Sequence, residues 1–284
     1  MEILALKTFI AVVEEGGILS ASKKLNTVQS NVTTRIRRLE EELSVDLFFR
    51  KGRGLELAPA GRVLMEYAQK MLYLEKQASN AVSQAGGNTG LLRIGSMETF
   101  AAVRLPGALK RLRVFHPELD LSVETSTTQE LLNKVLCCKL DCAFVGGPID
   151  HSDLLVEPIL VEELVLVRSR LHPDASGTLI LFREGCAYRA KALAWKRESG
   201  QQIGEVMELG TLEGILGCVT VGLGCTLMPR TVVENSRFAD ELIIKEIPDH
   251  LSRIPTVMVS HRESPAMLCM GTLANAVVDS SVAA

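Results

Sequence analysis

The chain has 284 residues, 47% hydrophobic and 23% charged, with a formal net charge of -3. At roughly 150 residues per domain there is room for about two domains, and this composition excludes a mainly disordered chain, a collagen and a small disulfide scaffold. Aromatic residues make up only 4%, so the core must be aliphatic.

From the N-terminus, Leu6, Phe9, Ile10 and Val13 recur at helical spacing, which predicts an amphipathic helix over 4–15. Gly16 and Gly17 end it. Ser20 is expected to cap a short helix from Ala21 to Leu25, and Thr27 a third helix over 28–42. The third helix buries Val32, Ile36, Leu39 and Leu43. Its other face shows Gln29, Ser30, Thr33, Thr34 and Arg37; Asn31, Arg35 and Arg38 are further candidates for base or phosphate contact, though the three Arg cannot all face one groove, and the helix holds no acid between Thr27 and Leu39. Two short helices joined by a tight turn make a helix-turn-helix. Phe48 to Leu57 reads as a small hairpin with a basic, glycine-rich tip carrying Arg50, Lys51 and Arg53. Two basic segments in a mildly acidic chain point to a local anionic partner. A helix places such polar residues against base edges in the major groove, and a basic wing meets phosphates.

Pro59 opens a long helix running to about Ala85. Leu64, Ala68, Met71, Leu74, Ala78, Val82 and Ala85 form a near-heptad stripe that calls for a partner, so self-association as a homodimer or homotetramer is expected. Residues 86–90 read as a hinge.

Beyond the hinge, strands alternate with helices. The pattern predicts strands near 91–95, 119–123, 142–145, 164–168, 179–182, 224–228, 242–247 and 255–260. Helices fall near 105–115, 130–138, 188–198, 211–221 and 265–278. Such alternation implies an α/β domain with a mainly parallel sheet. Ligands bind open α/β sheets at the carboxyl ends of strands. The loop holding Ser96, Met97, Glu98 and Thr99 follows one strand, and the loop Thr125 to Gln129, with Thr127 and Thr128, follows another. Glu98 opposes a simple anion there unless Arg104, Arg189 or Lys191 compensates, which leaves a cationic or neutral ligand open.

Residues 1–65 resemble the winged helix-turn-helix of LysR-type transcriptional regulators. The likeness rests on Phe9, Ser20-Ala21-Ser22, Leu25, the run Gln29 to Thr33, Ile36, Leu39-Glu40, Leu43, Leu47-Phe48, Arg50, Leu57 and Ala60-Gly61. Looser matches at Leu105-Pro106, Phe115-His116-Pro117, Leu140-Asp141, Gly222-Leu223-Gly224 and Pro229 extend it over essentially the whole chain. The resemblance implies a fold that is α/β overall. A winged helix-turn-helix DNA-binding domain would span 1–58 and a dimerisation helix 59–87. A two-lobed, periplasmic-binding-protein-like effector domain would span 88–284, with lobe one at 91–161 and 265–284 and lobe two at 162–264. The crossings would fall near Val161-Glu162 and His261 to Ser264.

The resemblance also implies a DNA operator, a small-molecule effector and RNA polymerase as partners. Ser96 and Thr99 match positions that commonly hold ligand carboxylates. By the same pattern Val145 and Gly146 would line the lobe junction, faced by Phe182, Cys186, Tyr188, Gly224 and Cys225 from lobe two.

Alternatives stay open. Glu184-Gly185-Cys186 resembles the segment carrying the peroxide-reactive cysteine of the OxyR branch, although Trp195 stands where that branch has its resolving cysteine. A thiol-based redox regulator acting through Cys186 is therefore one alternative. A small-molecule-binding or catalytic α/β protein is another, although no catalytic constellation, dinucleotide fingerprint or phosphate loop appears. The seven cysteines and five histidines have no metal-site spacing, so neither a metal nor a cofactor is expected. The chain has no apolar run near the ~20 residues of a membrane span and no signal-peptide pattern at Met1 to Ala5, so a cytoplasmic protein is expected.

Overall fold

A computed structural model describes residues 1–51, 54–85, 90–173, 178–199, 204–262 and 268–282. The chain divides into two compact units, Met1–Gly87 and Asn88–Ala284.

The first unit comprises α1 (Ile3–Glu14), α2 (Ile18–Lys24), α3 (Gln29–Leu43), an antiparallel hairpin of β1 (Phe48–Lys51) and β2 (Gly54–Leu57), and α4 (Pro59–Ala85). Leu6, Phe9 and Val12 of α1 meet Val32, Ile36 and Leu39 of α3 around Ala21 and Leu47, and Leu64 and Ala68 of α4 close this core. The rings of Phe9 and Phe48 lie 5.4 Å apart and bring the hairpin onto it. Two expected caps are corrected. Helix α2 begins at Ile18 behind Gly17, so Ser20 sits inside it; partly buried Ile18 draws the helix start forward onto the core. The N-cap of α3 is extended Val28, which makes no side-chain cap bond; the Thr27 hydroxyl instead accepts from Asn31 Nδ2 at 3.1 Å.

The second unit runs β3 (Leu91–Ser96), α5 (Glu98–Val103), α6 (Leu105–Phe115), β4 (Asp120–Thr125), α7 (Thr128–Leu136), β5 (Cys142–Gly146) and β6 (Leu154–Ser169). It continues through β7 (Leu179–Leu181), α8 (Ala187–Glu198), β8 (Val206–Glu208), α9 (Leu212–Thr220), β9 (Thr226–Pro229) and α10 (Arg230–Glu234). It ends with β10 (Leu242–Lys245), α11 (Asp249–Ser252), β11 (Arg253–His261) and α12 (Leu268–Val282). The main sheet has the order β10-β6-β11-β5-β3-β4, with β9 also paired to β6, while β7 and β8 form a separate parallel pair.

The sheet is mixed, not mainly parallel as the alternation of elements suggested. β3 runs parallel to β4 and β5, but β11 is antiparallel to β5 and β6, and β6 is antiparallel to β9 and β10. The strands that carry the chain between the two halves run back against their neighbours. β6 makes the first crossing. It pairs with β11 through Glu163 and with β9 from Leu164 onward. The return crossing differs from expectation. The resemblance places it near His261 to Ser264, yet β11 pairs with β5 from Thr256 to Ser260 and so is back beside the strands of the N-terminal half before that point. Residues 263–267 lie outside the described residues. One core gathers Leu92, Ile94, Phe144, Leu164 and Val259 with Leu112, Leu131 and Leu273 from the flanking helices. A second gathers Val165, Val167, Ile180, Ile215, Leu216 and Val232.

Candidate functional site

The polar side of α3 is set by its apolar stripe. With Val32, Ile36 and Leu39 buried, Gln29, Ser30, Asn31, Thr34, Arg37 and Arg38 are exposed. Two expected contact residues are placed differently. Thr33 is half-buried and its hydroxyl donates to the Gln29 carbonyl at 2.9 Å. Arg35 is half-buried and turns toward α1, where Nη1 donates to the fully buried Thr8 hydroxyl at 3.5 Å. Glu40, which pattern reading did not single out as a working residue, ties the hairpin to α3. Its Oε1 accepts from the amides of Leu47 at 2.8 Å and Phe48 at 3.3 Å. Arg50 and Lys51 lie on β1, but their side chains, like residue Arg53, fall outside the described residues.

In the second unit a cleft holding about 470 Å³ of empty space, open solvent included, lies where the segments after β3, β4 and β7 meet. Its walls are Met97, Glu98, Thr99, Thr125, Ser126, Thr127, Thr128, Phe182, Arg183, Cys186, Tyr188 and Gly210. Three of these are N-caps: Met97 of α5, Thr127 of α7 and Cys186 of α8. The cleft therefore sits at helix beginnings, where backbone N–H groups carry partial positive charge. Backbone bonds hold the walls in register. Met97 donates to the Phe144 carbonyl at 3.2 Å, Ser126 to that of Ser96 at 3.1 Å, and Gln129 to that of Gly185 at 3.2 Å. Gly185 has φ +86, and a Cβ there would come within 3.0 Å of both Gln129 Cβ and Thr127 Oγ1. Only glycine adopts this backbone readily and admits so close an approach.

Beneath the walls runs a buried polar chain. Thr99 Oγ1 donates to Tyr188 Oη at 3.3 Å, and Tyr188 donates to Glu162 Oε2 at 2.5 Å. Arg104 Nε lies 4.0 Å from Glu162 Oε1. Burial pushes the Glu162 carboxyl above its ordinary value, against the pull of the Tyr188 bond and the Arg104 charge. Burial, with Glu162 beside it, also raises the Tyr188 phenol well above its ordinary value, so it stays protonated. Glu162 went unnoticed in the sequence because it is one of two adjacent acids. Period two was the available signal, since Glu162 shares a face with Leu164 and Leu166 while Glu163 points out.

The structure brings Met97, Thr99, Thr127, Thr128, Phe182, Cys186 and Tyr188 together on the cleft. It places the other expected residues elsewhere. Ser96 is fully buried and donates to the Met97 carbonyl. Val145 is fully buried in the sheet. Gly146 lies behind the wall, its amide donating to Thr128 Oγ1 at 3.3 Å. Gly224 packs on the Thr178 carbonyl, and Cys225 directs its thiol to the same oxygen. Arg183, Ser126 and Gly210 line the cleft in their stead. Arg183 carries the charge signal that a pattern search could use, whereas Gly210 carries none. Burial raises the Cys186 thiol, despite the N–H groups of Arg189 and Tyr188 and the Arg189 charge. The thiolate a redox switch needs is thereby disfavoured. Among the described residues no group of three or more His, Cys, Asp or Glu is arranged to hold a metal, and no helix is long and apolar enough to cross a membrane.

Comparison with known proteins agrees with this division. Residues 3–62 match the family model described as "Bacterial regulatory helix-turn-helix protein, lysR family", and residues 85–280 match "LysR substrate binding domain". The chain is 39% identical over 271 residues to the HTH-type transcriptional regulator GltR of Bacillus subtilis (strain 168), covering 93% of this chain and 92% of that one. It is 38% identical over 266 residues to the HTH-type transcriptional regulator SoxR of Arthrobacter sp. (strain TE1826), covering 92% and 91%. Among solved structures, a full-length OxyR variant from Pseudomonas aeruginosa superposes with a TM-score of 0.70 at 22% identity over 98% of this chain and 94% of that one. Full-length CbnR, solved with its target DNA, gives 0.68 at 21% identity over 99% and 100%.

Proposed function

Because the chain belongs to the LysR family of bacterial transcriptional regulators, we propose that its cleft is the effector site of a sequence-specific DNA-binding regulator and that α3 is its reading helix. The observation that carries this reading is the pairing of two features in one chain. One is an exposed polar and cationic face on α3, opposite its buried stripe. The other is a hydroxyl-lined cleft at three helix beginnings. Gln29, Ser30 and Asn31 contact bases, and Arg37 and Arg38 phosphates, as a helix N-terminus in the major groove does. The wing cations Arg50, Lys51 and Arg53 add phosphate contacts.

The domain division is 1–58 for DNA, 59–87 for self-association and 88–284 for the effector. The exposed Val63, Tyr67, Leu74 and Val82 of α4 supply the apolar surface for a second copy. The protein works in the cytoplasm and addresses RNA polymerase at its promoters. Its cleft recognises a ligand and transforms none: the Tyr188 phenol is committed to Glu162, and burial disfavours the Cys186 thiolate.

Operator binding measured across a salt series tests the reading. A steep linear dependence of log affinity on log salt, abolished by removing residues 1–58, is the expected result. Weak, salt-insensitive binding by the full chain would refute it.

A further inference from the structure

We infer that the effector is a zwitterion of the amino-acid type, with its ammonium group held by Glu98 and Thr99 and its carboxylate by Arg183, Thr127 and Thr128. This rests on the reading that the cleft is the effector site. The argument is one of hydrogen-bond polarity, residue by residue.

On the wall contributed by α5, hydrogens are already spent. Tyr188 has one hydroxyl hydrogen and gives it to Glu162, so its oxygen can only accept, and it accepts from Thr99. Thr99 has thereby used its single hydrogen. What it still offers the cleft is lone pairs. Beside it stands Glu98, half-buried and on the cleft lining, with no ion-pair partner among the described residues. An ionised carboxylate accepts only. This wall asks for a donor. A carboxylate placed against Glu98 and the lone pairs of Thr99 would meet repulsion, which reverses the role first expected of Thr99.

At Thr127 and Thr128 the hydroxyl polarity is opposite, whereas Ser126 beside them gives its hydrogen to Glu130. Thr127 Oγ1 accepts from the Glu130 amide at 3.4 Å, and Thr128 Oγ1 accepts from the Gly146 amide at 3.3 Å. Both hydroxyls thus meet backbone donors with their oxygens, and among the described residues no acceptor takes the hydrogen of either. Arg183, exposed on the lining, is a donor only; it has no salt bridge among the described residues, and its charge helps to lower the Glu130 carboxyl. Thr127 also stands at the beginning of the nine-residue α7, where developing positive charge favours an anion. This wall asks for an acceptor. Met97, Phe182 and Cys186 also line the cleft and give it an apolar surface suited to a short carbon skeleton. The one acid in the first turn of α5 would favour that helix by itself. It would not account for the reversal of hydroxyl polarity across the cleft.

The test uses the full-length protein and calorimetric or thermal-shift titration. The probes are the proteinogenic α-amino acids and their ω-amino counterparts, each beside its des-amino carboxylic acid and its decarboxylated amine. The expected result is binding by at least one zwitterion, with both of its singly charged analogues weaker by about ten- to a hundredfold, the range of a lost charge-assisted hydrogen bond. Glu98→Gln should weaken the zwitterion by a similar factor while leaving the melting temperature without ligand unchanged. Arg183→Gln should do the same from the carboxylate end. Equal or tighter binding of a des-amino acid, undiminished in Glu98→Gln, would overturn the zwitterion and leave the cleft as an effector site. Absence of binding by every probe class would overturn both.

Discussion

The phenol of Tyr188 on α8 donates to the carboxylate of Glu162 on β6 at 2.5 Å, and both groups are buried. Tyr188→Phe removes the donor and leaves the acid in place. An unpaired buried acceptor costs about 1–3 kcal/mol, so urea unfolding should show a loss of that order. Its pH dependence has a definite sign. Burial already raises the folded carboxyl above its unfolded value, and the Tyr188 bond opposes that rise. A raised carboxyl contributes stability that is present below the unfolded value and lost as pH climbs through the folded one. Removing Tyr188 raises the group further, so the loss should be larger at neutral pH than in acid. A pH-independent loss would contradict this account.

Gln29→Ala should weaken specific DNA binding by about 1–3 kcal/mol and relax one base position, with unfolding unchanged, because the side chain is exposed. Arg38→Ala should lower the salt slope by about one. Arg35→Ala should act differently. Its guanidinium reaches Thr8 inside the head, so stability should fall by about 1 kcal/mol while the salt slope holds. Competition with randomised operators and thermal unfolding separate the three.

Leu74 and Met71 lie one turn apart on α4 but face different surroundings. Leu74 is 65% exposed, whereas Met71 packs against the core of the head. Leu74→Glu should dissociate the assembly, burying an unpaired charge at a cost on the order of several kcal/mol, while the head stays folded. Met71→Glu should destabilise the head itself. Light scattering beside circular dichroism resolves the two. An assembly that survives Leu74→Glu would move the interface off this face.

Gly185→Ala forces a Cβ against Thr127 and Gln129 and strains a left-handed backbone. It should lower stability by about 1–2 kcal/mol and widen the cleft. Ligand affinity should fall with the melting temperature. Unchanged affinity in a destabilised protein would separate the two walls functionally.

How far the sequence could be read depended on whether a residue's role lay in its own periodicity. Val32, Ile36 and Leu39 announce their buried face, so the exposed face of α3 followed. Thr127 and Thr128 were legible because they stand between a strand and a helix, where open sheets place ligands. Arg35 was not separable from Arg37 and Arg38, since its fate depends on Thr8 in another helix. The pairing of β11 with β5 joins residues more than a hundred positions apart, and periodicity carries no information on that scale. The pattern predicts only the 164–168 part of β6, since Glu157 and Pro158 interrupt the apolar residues before it. The strand absorbs that interruption as an irregularity in register opposite Thr256 and Val257. Ser96 and Cys225 sit in the expected segments but point into packing, a matter of one residue of twist.

The sixteen-residue strand β6 decides how this molecule can be dissected. A cut near residue 87 falls between the two compact units. A cut at residue 161, where the resemblance implies the lobe boundary, would sever a single strand and strip both pieces. The pairing of Pro255 to His261 with Leu154 to Val161, and of Thr256 to Ser260 with β5, would be divided between the pieces, and the second would gain a ragged edge beside β9 and β10. The effector half should therefore express as one indivisible fragment, and a split-reporter or domain-swap scheme built on its lobes should yield insoluble parts.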